Sequence, residues 1–203
     1  MGDGHSNLSL DFGTSNHISL KNVSIPHAEE TLWNCSDVRM EKVCANGDYF
    51  AMGCENMDID DFTLTGNYSF DGAKNITINN AKILSKDAFW NSENITVHNS
   101  FISGEYLGWN AKNLTLVDCT VESLQGMCYI ENLVMKNCKL INTTLAFEYS
   151  SVDADITSRI DSVINPKSGI IRAAGIDELI MEKDKINPSD TEIIIKEDTG
   201  CEQ

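Results

Sequence analysis

Basic residues are scarce in this chain: 15 Lys and Arg stand against 31 Asp and Glu, a formal net charge of −16. Nucleic acids and anionic membranes are held by clustered Lys and Arg, so neither is an expected partner. A cation or a neutral ligand is. Long apolar runs are also missing; none approaches the roughly 20 residues that span a bilayer. The opening MGDGHSNLSLDFGTSNH has neither a basic nor an apolar segment of the signal-peptide kind, and a cytoplasmic location is expected. The seven Cys form no CxxC and stand at no zinc-like spacing to His. The expectation is therefore reduced thiols rather than a disulfide framework, with no metal and no cofactor. No P-loop, GxGxxG, HExxH, GxSxG or EF-hand loop occurs.

What is present is a repeat. Residues 74–116 say Asn-Ile-Thr-Ile, then Asn-Ile-Thr-Val, then Asn-Leu-Thr-Leu, each copy nineteen residues after the last. The opening polar residue recurs at Asp37, Asn56, Asn75, Asn94, Asn113 and Asn132, five steps of nineteen without an insertion. A period this strict specifies a solenoid. Within each repeat the apolar residues alternate, the strand signal, in three bursts: Ile76/Ile78, Ala81/Ile83 and Ala88/Trp90 in one copy, Ile95/Val97, Ser100/Ile102 and Leu107/Trp109 in the next. Nineteen residues are too few for a helix pair, and no leucine-rich frame is present. The prediction is an all-β parallel β-helix with three strands per turn, about seven turns and about 35 Å tall at about 4.8 Å per turn. Residues 1–14 are expected to be irregular, 15–151 to form the repeats, and 152–203 to form terminal turns and a C-terminal strand cap.

Stacking assigns roles to whole columns. The Asn column is expected to form an inward amide ladder at a left-handed corner. Trp90 beneath Trp109 is expected to be an inward ladder too. The pairs Cys35/Cys54 and Cys119/Cys138, each nineteen apart, are read as small buried thiols. Eight Asn-X-Ser/Thr sequons occur, several of them produced by the repeat itself.

The words HAEETLWNC, GNYSFDGAKN, LSKDAFWN, SGEYLGWN, CYIENLVMKNCKL, LAFEYSSVDA and SVINPKSG, spread over residues 15–195, resemble an uncharacterised bacterial family, domain-of-unknown-function family 3737. The resemblance implies a right-handed, single-stranded β-helix of the pectin-lyase-like type and implies no activity. Further N-terminal turns in its members imply that the first turn here is an exposed edge, open to self-association.

Two outward regions are candidate sites. Glu41, Asp58, Asp60 and His98 gather carboxylates and one imidazole on the first strand face. By analogy with pectin-lyase-like enzymes they could serve a glycosidase, a lyase or a Ca²⁺ site. The competing reading is a solvated acidic face in which Arg39 neutralises Asp58. On the third face stand Tyr49, Tyr68 and Tyr106 with Asn91 and Asn110. Flat apolar rings beside amides suit stacking on sugar; structural packing beneath a loop is the other reading. The leading expectation is a non-catalytic scaffold or binding module for carbohydrate or a protein partner. The alternative is a carbohydrate-active enzyme using outward carboxylates. Long loops that would wall a cleft have no room in nineteen-residue turns, so no polysaccharide turnover is expected.

Overall fold

The computed structural model describes residues 13–196. The strands are β1 (Asn16–Ile25), β2 (Ser36–Asn46), β3 (Glu55–Thr65), β4 (Lys74–Leu84), β5 (Glu93–His98), β6 (Phe101–Ser103), β7 (Lys112–Val117), β8 (Thr120–Glu122), β9 (Glu131–Leu140), β10 (Ser151–Ile156), β11 (Arg159–Ile164), β12 (Ser168–Ala173), β13 (Gly175–Ile180) and β14 (Thr191–Ile195). One parallel sheet runs in the order β1-β2-β3-β4-β5-β7-β9-β10-β12-β14. Register within the repeat is strict: Val38, Met57 and Ile76 are Cα partners, as are Ile95, Leu114 and Leu133.

This is the expected β-solenoid, with more turns than the repeat alone indicates. Ten strands in one sheet make nine steps, about 43 Å at about 4.8 Å each. The extra turns come from residues beyond 150. There β10 stacks on β9, β12 on β10 and β14 on β12, while β11 and β13 pair separately. In the described part of 152–203, where terminal turns and a strand cap are expected, the strands thus continue the stack, in turns whose lengths depart from nineteen. The irregular segment expected at 1–14 falls mostly outside the described residues. Among those described, no helix is long and apolar enough to cross a membrane.

The first two bursts behave as read. Ile76, Ile78, Ala81 and Ile83 are buried, and so are their equivalents from β2 to β9, while Ile18 and Val23 of β1 are partly buried. They lie on one long strand bent at a left-handed residue, Asp61 in β3 and Asn80 in β4. The third burst is not a strand. Residues 86–91 are a run of turns in which Asp87, Phe89 and Asn91 have φ of 55°, 62° and 51°. Alternate left-handed residues swing successive amides up and down the stack: Tyr49 N donates to Asn67 O above, Ala51 N to Thr31 O below, and Gly53 N to Asp71 O above. This geometry turns adjacent residues, not alternate ones, toward the core. Phe50 and Ala51 are both fully buried, as are Ala88 and Phe89. Phe70 and Phe89 are likewise core residues, with rings stacked at 5.3 Å. Trp90 and Trp109 do meet, with centroids 6.3 Å apart, but both are only half buried and face outward.

The Asn column also departs from expectation in one respect. Its amides form the ladder, each Nδ2 donating to the Oδ1 one turn below, from Asn132 through Asn113, Asn94 and Asn75 to Asn56 and finally Asp37. All of these residues are exposed, so the ladder runs along the outside of the corner. With φ between 52° and 64° at the five Asn, a side chain on such a corner projects away from the enclosed core. The six cysteines of the described region are free thiols. Cys54 and Cys128 are buried, and desolvation pushes each thiol up to about 12.

Candidate functional site

The acidic column is assembled as the register predicts, but each of its carboxylates has its own partner. Glu41, Asp60, Asn79 and His98 succeed one another on β2, β3, β4 and β5. Glu41 accepts from Lys21 at 2.8 Å, Asp60 from Asn80 at 2.7 Å, and Asp58 stands 3.9 Å from Arg39. Asp58 lines a shallow depression of about 430 Å³ with His17, Asp37, Arg39 and Asn56. Glu41, Asp60 and His98 do not line it. Among the described residues no group of three His, Cys, Asp or Glu is placed to hold a metal ion.

The third face divides into two kinds of aromatic contact. Tyr49 and Tyr68 lie nearly parallel, 8° apart at 4.9 Å. Their faces cover each other, and what remains toward solvent is ring edge. One turn on, the column holds Asp87, which is 7% exposed; burial pushes its carboxyl above the usual range, against the pull of Lys86. Beyond it Tyr106 meets Trp109 edge-on at 5.7 Å.

A second aromatic run climbs from there. Trp90 meets Trp109 at 6.3 Å, Trp109 meets Tyr129 at 4.6 Å, and Tyr129 meets Tyr149 at 5.3 Å, with interplanar angles of 38°, 40° and 46°. Tilted rings leave part of each face open, unlike the closed Tyr49–Tyr68 pair. Tyr129 is 39% exposed, and burial together with Glu148 pushes its phenol up. Trp90 is fixed by its indole N–H, which donates to Tyr106 O at 3.2 Å. Alongside runs a second amide ladder: Asn110 donates to Asn91 at 2.9 Å and Asn91 to Asp71 at 3.1 Å.

At the upper end of this run lies a cavity of about 460 Å³, lined by Asn110, Tyr129, Tyr149, Lys167, Lys185, Ile186, Asn187 and Asp190. Its far wall is the segment between β13 and β14, and that segment is well anchored. Glu182 Oε2 accepts from the buried Asn165 at 2.6 Å, Glu182 N donates back to Asn165 Oδ1 at 2.8 Å, and Lys185 bonds to Glu182 at 2.8 Å. The bonds from Lys185 and Asn165 hold the Glu182 carboxyl below its usual range. Asn187 caps the short 3-10 turn by accepting from Ser189 N, and donates to Asp190 at 2.9 Å. A larger depression of about 670 Å³ is lined only by the consecutive residues 183–189 and faces no second wall.

Of the sequence candidates, the structure thus brings Asn110 into a cavity, sets Asn91 beneath it and Tyr106 against Trp109, and leaves Tyr49 and Tyr68 as a closed pair lower down. Trp109, Tyr129, Tyr149 and the loop residues were not among the candidates. One signal was available: nineteen residues after Asn110 the amide column changes to Tyr129, and twenty later to Tyr149.

The family model described as "Protein of unknown function (DUF3737)" matches residues 6–194, nearly the whole chain. No curated protein matches it.

Proposed function

The chain belongs to the DUF3737 family, whose description names no activity, and we propose that it is a non-catalytic module that binds saccharide on the aromatic run Trp90–Trp109–Tyr129–Tyr149. The observation that carries this reading is the tilt of those rings by 38–46° beside a cavity with polar walls. Sugar recognition joins apolar ring contact to a few fixed polar groups, and this place on the molecule offers both. The carboxylates Glu41, Asp58 and Asp60 support catalysis less well. A general acid and its partner base need unlike environments, one desolvated and one wet, whereas Asp58 and Asp60 are exposed and Glu41 is only half buried on the same open face.

Glycan-array screening followed by titration of intrinsic fluorescence tests the proposal, since Trp90 and Trp109 would report directly. Trp109→Ala and Tyr129→Ala are each expected to weaken binding about tenfold, the loss of one good stacking contact. Tyr49→Ala should leave binding unchanged. Failure of every glycan to bind, or binding that survives the double variant, would overturn the reading. Turnover of a bound glycan that disappears in Asp87→Asn or Asp60→Asn would replace it with the enzyme alternative.

A further inference from the structure

We infer that the cavity takes the terminal unit of a neutral saccharide, seated between Tyr129 and Tyr149 on one side and the 185–190 loop on the other; this rests on the saccharide-binding reading above. Three features of the cavity lead there: its unspent hydrogen-bonding groups, its balance of charge, and the loop that stands above it.

The hydrogen-bonding inventory is mixed. Lys185 spends one N–H on Glu182 and keeps two. Asn187 spends one amide N–H on Asp190 and keeps one. Asn110 spends one on Asn91 and keeps one, along with its carbonyl oxygen. Among the described residues nothing donates to Asp190 Oδ2, which remains an acceptor. Donors and acceptors thus both stand beside the aromatic wall. Hydroxyl groups, which donate and accept together, match such a wall better than a group that only donates or only accepts.

Charge in the cavity is balanced. The Lys185 ammonium is already offset by Glu182 at 2.8 Å. Lys167 and Asp190 face the same space with opposite signs. An anionic sugar would meet the Asp190 carboxylate, and a cationic one would meet Lys167 and Lys185. The overall charge of −16 adds repulsion of any polyanion, although beyond about 8 Å this is screened at physiological salt. Local charge therefore favours a neutral ligand, and global charge disfavours an anionic one.

The cavity's size and setting specify a terminus. At about 460 Å³ it lies low in the roughly 300–1,000 Å³ range of small-molecule sites. Along the stack the anchored loop stands above the cavity, and the aromatic run continues only below it, over Trp109 and Trp90. A longer chain that keeps ring contact leaves in that direction, so the unit in the cavity is the end of the chain.

Calorimetric titration with gluco-, galacto-, manno- and xylo-oligosaccharides, from monosaccharide to hexasaccharide, alongside oligogalacturonates, tests this. One neutral series should bind, with affinity rising over the first few units and then levelling. Oligogalacturonates should bind at least about tenfold more weakly. Asp190→Ala should weaken neutral binding about tenfold, the loss of a charged acceptor. Asp190→Asn should retain neutral binding and relax the discrimination against uronates, which a merely structural role would not do. Equal or tighter uronate binding, or affinity that keeps rising with each added unit, would overturn the inference and leave the aromatic platform standing. Absence of all saccharide binding would remove the platform itself.

Discussion

Asn94 illustrates how a single residue serves this fold twice. Its φ of 57° lies in the left-handed region, where Asn is tolerated better than most residues. Its amide donates to Asn75 at 3.0 Å and its carbonyl accepts from Asn113 at 2.8 Å. Because the ladder is exposed, each bond contributes the modest net value of a solvated one. Asn94→Ala loses both bonds and meets the left-handed penalty, so it should destabilise by about 2 kcal/mol. Asn94→Gly loses the bonds but not the conformational ease, and should cost about half as much. Urea unfolding of both variants measures the split; equal losses would mean that the corner conformation contributes nothing.

At the scale of one turn, the third side brings successive turns of the polypeptide close together. Its entry corner holds Gly47, Gly66, Ser85, Gly104 and Ser123 in successive turns. A Cβ on Gly104 would overlap the carbonyl of Ser85 below it, whereas a Cβ on Gly72, in an open stretch of the same side, would meet nothing within 4 Å. Gly104→Ala should therefore cost about 2–3 kcal/mol by forcing adjacent turns apart. Gly72→Ala, at φ of 65°, should cost only the left-handed penalty of about 1 kcal/mol. Thermal or urea unfolding of the pair checks this, and similar losses would mean the corner can open freely. The strained conformations at Phe70 and Phe89 are held by burial of their rings, which are fully inaccessible and each stabilise by about 1.5–3 kcal/mol.

The whole molecule is a quasi-one-dimensional stack whose stability is the sum of its turns and the interfaces between them. A net charge of −16 opposes that compact stack through self-repulsion. The ion pairs between neighbouring turns, such as Lys86–Glu105 and Lys112–Glu131, are exposed and contribute roughly 0–1 kcal/mol each. Repulsion should outweigh them. Raising salt from about 0.01 M to 0.15 M shortens the screening length from about 30 Å to about 8 Å, so the melting temperature should rise over that range. A fall would mean that the inter-turn pairs dominate.

The strict nineteen-residue spacing, the period-two alternation of Ile76/Ile78 and Ala81/Ile83, and the Asn corners were enough to specify a stacked β-solenoid and most of its core. Each depends on nearest neighbours in the chain or on the identical residue one turn away, so the pattern is written locally. The third side was not legible, because alternate left-handed residues there replace the period-two rule with paired inward residues, and this turned Trp90 and Trp109 outward. The number of terminal turns after residue 150 was hidden by their irregular lengths. The cavity was decided by tertiary structure alone: Tyr129 and Tyr149 belong to the stack, while Lys185, Asn187 and Asp190 arrive from a segment some forty residues further on, held in place by Asn165 and Glu182. Contacts that join a repeating element to a non-repeating one leave no period in the sequence, and only the folded chain brings them together.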